Sequence, residues 1–246
     1  MAKARMAGAA ASAWTSGSVP VGAPVPAPAR PGRPERPELL APSRMPKRRV
    51  GGQAGRVALL HAVAHIELNA IDLAWDMVLR FGIGDGLPRA FLDDWVRVGA
   101  DEARHFELLA GRLAALGARY GDLPAHDGLW SAAAATADDV KARLAVVPLV
   151  LEARGLDVTP GMIERLRAAG DDASAAALDV IYAEEVGHVA AGMRWFAWAC
   201  ARDGLPPRDT WQALVGARMR GGLKRPFNAA ARSAAGLAAS YYEPLA

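Results

Sequence analysis

Asp101-Glu102-Ala103-Arg104-His105 and Glu184-Glu185-Val186-Gly187-His188 repeat one pattern, an acid followed by Glu-x-x-His. On a helix, positions i and i+3 lie on one face about a turn apart. Glu102 with His105, and Glu185 with His188, can therefore each grip a single metal ion. One such motif occurs often by chance. Two gain weight from a pair of single glutamates, Glu67 lying 35 residues before Glu102 and Glu152 lying 33 before Glu185. The chain thus reads twice as a helix with one Glu, a connection, and a helix with Glu-x-x-His. One Glu from each of two helices, with Glu-x-x-His from each of the other two, gives four carboxylates and two imidazoles. That donor set suits two Fe ions, or alternatively two Mn ions, inside a four-helix bundle.

The hydrophobic spacing around these motifs predicts four long helices, over 53–81, 88–116, 137–155 and 172–202. Glu67 falls inside the apolar stripe Leu60, Val63, Ile71, Ala74 and Val78. A carboxylate on such a face must be paired, protonated or metal-bound, because burying it alone costs several kcal/mol. Glu102 and His105 continue the face of Trp95, Val98, Leu109 and Leu116, and Gly117 ends that helix. Thr136 is the expected N-cap of the third helix, Pro148 should kink it one turn before Glu152, and Gly155 and Asp157 should end it. Thr159-Pro160 should then open a short helix to about 169. In the fourth helix Glu185 and His188 share a face with Leu178, Ile181, Gly192 and Trp195, and Gly192 could admit a close neighbour. Glu184 lies about 100° away around the helix. His65, Asp101 and Glu184 are expected to support the ligands rather than bind metal. His61 and His65, four residues apart on another face, read as core groups or supports for the ligands rather than a separate metal site. His126 falls in a loop with no evident partner. A further helix is expected over 207–220, and Asn228 should cap a last short one.

Composition sets the frame. The chain has 246 residues, is 52% hydrophobic and only 7% aromatic, and is rich in Ala and Leu. These features favour an all-α fold. Nine of the 17 prolines fall in 1–49, so no packed helix is expected there. Residues 1–27 read as disordered, and 28–49 as a strap docked through Leu39 and Leu40. Three regions follow: a Pro-rich, basic, partly disordered extension over 1–49, a four-helix bundle over 50–204, and a C-terminal helical extension over 205–246. Nine Lys/Arg against two Glu leave residues 1–49 at +7, while residues 50–217 carry −8 and residues 218–246 carry +4. Basic ends wrapping an acidic body explain this split better than an anionic partner does. No uninterrupted apolar run reaches the roughly 18 residues of a membrane span, and no signal sequence is expected. Cys200 is the single cysteine, which fits a reducing compartment and a cytoplasmic setting.

Several stretches together resemble the ferritin-like superfamily and, within it, the DUF455 proteins. They are Ala64-His65-Ile66-Glu67-Leu68-Asn69-Ala70-Ile71-Asp72-Leu73, Glu102-Ala103-Arg104-His105-Phe106, Pro124-Ala125-His126-Asp127-Gly128-Leu129-Trp130, Leu151-Glu152-Ala153-Arg154-Gly155-Leu156-Asp157 and Glu185-Val186-Gly187-His188-Val189. Tyr120-Gly121-Asp122, Met45-Pro46-Lys47-Arg48 and Pro226-Phe227-Asn228 fit as well. The resemblance covers about 28–238, leaving the Ala/Pro-rich N-terminus outside it. It implies a ferritin-like fold and the same six ligands, Glu67, Glu102, His105, Glu152, Glu185 and His188, but no substrate.

Three functions remain in view. The first is an oxidase or hydroxylase that uses O₂, with an unknown substrate and electron donor, as a monomer or small homo-oligomer. Some similar bundles hydroxylate modified tRNA bases, which keeps a nucleic-acid substrate open without favouring it. The second is an iron-oxidising or storage protein, which would need a large closed shell. The third is a metal-free scaffold. No Gly-rich phosphate loop, nucleophile elbow or zinc-type cysteine set competes with these readings.

Overall fold

Helix-forming residues dominate the chain, and the computed structural model is all-α, with no strand among the described residues, which are 1–46, 52–83, 86–219 and 221–246. The helices are α1 (Ala2–Thr15), α2 (Gly52–Met77), α3 (Arg89–Ala115), α4 (Gly128–Ala134), α5 (Val140–Val146), α6 (Ala153–Ala168), α7 (Asp172–Arg202), α8 (Pro207–Arg218), α9 (Ala229–Ala234) and α10 (Ala239–Tyr242). Two sequence expectations fall outside the described residues: the Lys47-Arg48 end of a family-like stretch and Arg220 as the end of the 207–220 helix. The chain divides into two compact units, Met1–Trp130 with Arg165–Ala177, and Ser131–Glu164 with Leu178–Ala246.

In the first unit α2 and α3 pack together, and α1 packs on both. The expectation that no packed helix lies in 1–27 is overturned. The prolines begin only at Pro20, and the Ala-rich stretch before them forms α1. Small side chains let α1 lie close, and Ala4, Ala7 and Ala11 are buried at spacings of three and four. Lys3 Nζ meets Asp72 at 2.6 Å, and Trp14 Nε1 donates to Asp93 at 2.8 Å. The strap also docks differently from expectation. Leu39 is exposed, and backbone bonds hold the segment instead. Leu40 N–H donates to Ala125 O at 2.8 Å and Ala125 N–H to Glu38 O at 2.9 Å. α2 closes with a π turn over Val78–Gly82. Gly117, at φ +75°, ends α3, with Ala118 N–H donating to Leu113 O. Gly52–Gly82 is long and apolar enough to cross a membrane by length and composition, yet 67% of that window is buried inside the protein.

In the second unit the expected boundaries of the third helix shift. Asp139, not Thr136, caps α5, its carboxylate accepting from Lys141 N–H at 2.8 Å. Thr136 Oγ1 is instead buried against Arg143 Nε at 2.9 Å. The distortion expected at Pro148 is a π turn over Val147–Glu152. Ala145 O, in the turn before it, accepts from Trp211 Nε1 at 3.2 Å. The helix does not end at Gly155 or Asp157: α6 runs through Pro160 to Ala168. Pro160 has no N–H for the carbonyl four residues back, and that carbonyl, Leu156 O, accepts from Asn228 Nδ2 at 3.1 Å. Asp157 is fully buried and pairs with Arg232 at 2.8 and 2.7 Å, pinning the C-terminal segment to α6. Asn228 caps α9 as its sequence suggests, and α7 spans the 172–202 expected of it.

Gly192 shows why one α7 position is bare. A Cβ there would lie 2.5 Å from Pro148 Cβ, a ring that cannot swing away. Gly192→Ala should therefore destabilise by about 1–3 kcal/mol in urea unfolding. Gly111→Ala on α3, where nothing lies within 4 Å, should be neutral or slightly stabilising. Removing residues 1–18 should lower Tm by several degrees in a thermal melt, because α1 buries an apolar face and closes the Lys3–Asp72 pair.

Candidate metal centre

The core spacing of α2 and α3 carries three donors inward. Glu67 on α2 is 3% exposed, and Glu102 and His105 on α3 are fully buried. His105 Nδ1 lies 3.3 Å from Glu67 Oε2 and 3.6 Å from Glu102 Oε2. One donor atom from each falls within 4.8 Å of the others. Two atoms bonded to one ion at about 2.1 Å and at right angles would be about 3 Å apart, so modest closure satisfies coordination. This buried Glu/His cluster could hold a metal ion.

Without metal, a proton on His105 offsets part of the charge of the buried acids. Burial opposes the charged ring of His105, but the hydrogen-bonding carboxylates of Glu102 and Glu67 outweigh it and push the imidazole up to about 11. An imidazolium thus stands between two acids at neutral pH. A metal ligand must be neutral imidazole, so metal entry there has to displace this proton.

In the second unit the other motif repeats the local geometry. His188 Nδ1 lies 3.6 Å from Glu185 Oε2, the same spacing as in the Glu102–His105 pair. His188 is fully buried, and the Glu185 side chain is 12% exposed. Glu152 has a buried Oε2 and sits at the last position of the π turn, in mid-helix rather than near a helix end. π turns insert a residue into the helical register and recur at functional sites.

The residues expected to support the ligands have neighbours of their own. His65 Nε2 donates to His126 O at 3.0 Å, since a carbonyl only accepts. Its Nδ1 then accepts from Tyr120 Oη at 2.8 Å. Burial lowers the His65 pKa to about 4, which keeps this ring neutral. Asp101 bonds Arg104 at 2.7 Å along α3, and Glu184 is half-buried. His126, without a partner in the sequence reading, accepts from Gly128 N–H at 3.2 Å. His61 Nε2 accepts from Gly121 N–H at 3.0 Å, and both His61 and His65 stack on Tyr120. Sequence reasoning missed the buried Asn69, which receives Arg33 Nη2 at 2.7 Å. Its only signal was an amide four residues after His65 on the same helical face.

Similarity places the chain without assigning it a role. Residues 1–243 match the family described as "Protein of unknown function (DUF455)", and the chain belongs to that family. The N-terminal helix is therefore part of the family pattern and not an addition to it. An uncharacterised protein of Haemophilus influenzae is 45% identical over 188 residues, covering 74% of this chain and 65% of the relative. The chain thus spans somewhat less than two thirds of that relative's length. No solved structure matches it.

The His105 pair has a definite pH signature. A raised folded-state pKa means its contribution is complete below the ordinary 6.5 and is lost as pH climbs toward about 11. Metal-free protein should therefore lose stability across that window, and His105→Gln should flatten the loss. Urea unfolding in chelator at a series of pH values reads both.

Proposed function

For this member of a family of unknown function, we propose a ferritin-like dinuclear metal–carboxylate protein, a non-haem oxidase or hydroxylase that uses O₂. The group Glu67, Glu102, His105 and Glu185 could bind a metal ion. We assign Glu152 and His188 to the same centre as ligands of a second ion. The observation that carries this reading is the recurrence of one arrangement, a Glu-x-x-His pair with Nδ1 3.6 Å from Oε2, in two separate helices. Ordinary buried ion pairs do not require an acid matched to a fully buried imidazole in two places.

Iron at such a site supplies redox chemistry toward O₂, because carboxylates and imidazoles leave coordination positions open. The chain's own contribution is placement, dryness and proton handling. Glu67 and Glu102 come from adjacent buried helices, so neither needs to swing to meet an ion. The fully buried Trp95 belongs to the dry wall of α3 that excludes bulk water. His105 holds a proton at Nδ1 in the metal-free state and yields it when a cation replaces it between the carboxylates. O₂ is the proposed co-substrate. The reading sets the protein in the cytoplasm, with the buried Cys200 as its support.

One observation favours a second reading. The imidazolium of His105 already offsets part of the charge of its two acids, as a metal-free scaffold element would require. Metal analysis of protein purified without chelators separates the two. Two Fe or Mn per chain, a higher Tm with Fe(II) or Mn(II), and O₂ uptake after anaerobic Fe(II) loading are the expected outcomes. Glu102→Ala should abolish the Tm response. A protein that ignores Fe(II), Mn(II) and Zn(II) alike is the scaffold, and a large hollow assembly in size-exclusion chromatography would turn the reading toward storage.

A further inference from the structure

Away from the Glu/His cluster, the first unit holds a cavity of about 320 Å³ bounded by α1, the strap, α2 and Tyr120. That volume is at the small end of ligand sites, which run to about 1,000 Å³. On α2 its floor is His65, Leu68, Asn69 and Asp72, which share one helical face. At about 100° per residue, Glu67 points roughly 150° away from that face. The cavity is therefore not an antechamber on the Glu67 side of the helix.

Its charges decide what it can take. The two cations in its wall are already neutralised. Lys3 Nζ is held by Asp72 at 2.6 Å, and Arg33 Nη2 by Asp127 at 2.6 Å and Asn69 Oδ1 at 2.7 Å. Glu35 and Glu38, on the strap, line the cavity and make no ion pair among the described residues. An entering anion would meet two carboxylates with no ion pair among the described residues, and cations that are already paired. Beside the acids stand Pro34, Pro37, Leu39 and Leu68, which offer an apolar surface to a hydrocarbon body. Tyr120 Oη donates its proton to His65 Nδ1 and keeps acceptor capacity for an N–H.

We propose that this cavity is a binding site for a small organic ammonium ion, an amine whose charged head meets Glu35 and Glu38 and whose hydrocarbon body lies against Pro34, Pro37 and Leu68. Because its walls come from α1, the strap and α2, an occupant ties the N-terminal segments to the helix that carries Glu67. The proposal does not depend on the metal reading.

The test is an NMR titration of the full-length protein at low salt with n-butylamine and 1,4-diaminobutane, using 1-butanol and butyrate as neutral and anionic controls. Both amines should give saturable amide shifts confined to residues 33–39, 65–72 and 120. Butanol and butyrate should give none. The double variant Glu35→Gln/Glu38→Gln, whose changes are at exposed positions, should bind the amines about tenfold more weakly. Glu107→Gln/Glu164→Gln, which removes two exposed charges elsewhere, should bind them like the parent. Butyrate binding as tightly as butylamine, amine binding indifferent to Glu35 and Glu38, or no localised shift with either amine would each overturn the proposal. Repeating the titration with metal-free protein should leave amine binding intact, which separates this result from the fate of the metal centre.

Discussion

Two carboxylates, Glu67 and Glu102, lie almost completely out of water on neighbouring helices. Burying charge without a partner costs several kcal/mol per ion, so the surrounding structure must deliver positive charge to one point. His105 does this in the metal-free state because it shares a helical face with Glu102 and reaches Glu67 across the α2–α3 contact. The demand fixes how α2 and α3 meet. Gly99 serves that contact: a Cβ on it would come within 2.9 Å of Trp75 Nε1. At the helix ends Gln53 Nε2 donates to Leu116 O, and Arg112 reaches Asp171 and Ser174. Such contacts are individually modest, but they hold the register that the buried acids require.

The helices bearing the motifs were legible because their signals are periodic and long. α7 carries its face over 31 residues, and its bounds follow from the sequence directly. α3 is as clear, with Pro before it and Gly after it. The errors gather where one residue has two uses. Thr136 looks like a helix cap, yet its hydroxyl serves a buried arginine. Asp157 beside Gly155 looks like a helix end, yet it is half of a buried ion pair. Pro160 looks like a start, yet Asn228, 68 positions later, supplies the lost donor. Local propensity cannot contain a partner that distant in sequence. α1 was missed for the opposite reason, because proline counts taken over 1–49 hid an Ala-rich stretch that ends before the first proline.

The candidate site shows the same division. Glu-x-x-His is legible because i and i+3 adjacency is a property of any helix. The direction of Glu152 is not, because the π turn over Val147–Glu152 departs from the 3.6-residue register of a regular helix. One inserted residue rotates everything beyond it by about 100°. The distortion has a visible cause in Pro148, and Gly192 makes room for that ring. The proton on His105 was also beyond the sequence, which says only that a carboxylate on the core face must be paired, protonated or metal-bound. Only the approach of Nδ1 to both Glu67 and Glu102 places it on the imidazole.

α2 is then a wall with two working faces. One face carries Glu67 to the buried cluster, and the other carries His65, Asn69 and Asp72 to the strap cavity. A rigid helix cannot move one face without the other, so a change in helix position is felt at both. Coupling of this kind needs a second arrangement of the helix, and the first unit has an element suited to provide one. α1 is rich in alanine and is tied by Lys3 to Asp72, in the last third of α2. An element held by small side chains, the Lys3–Asp72 pair and the Trp14–Asp93 hydrogen bond opens at lower free energy than the core it covers.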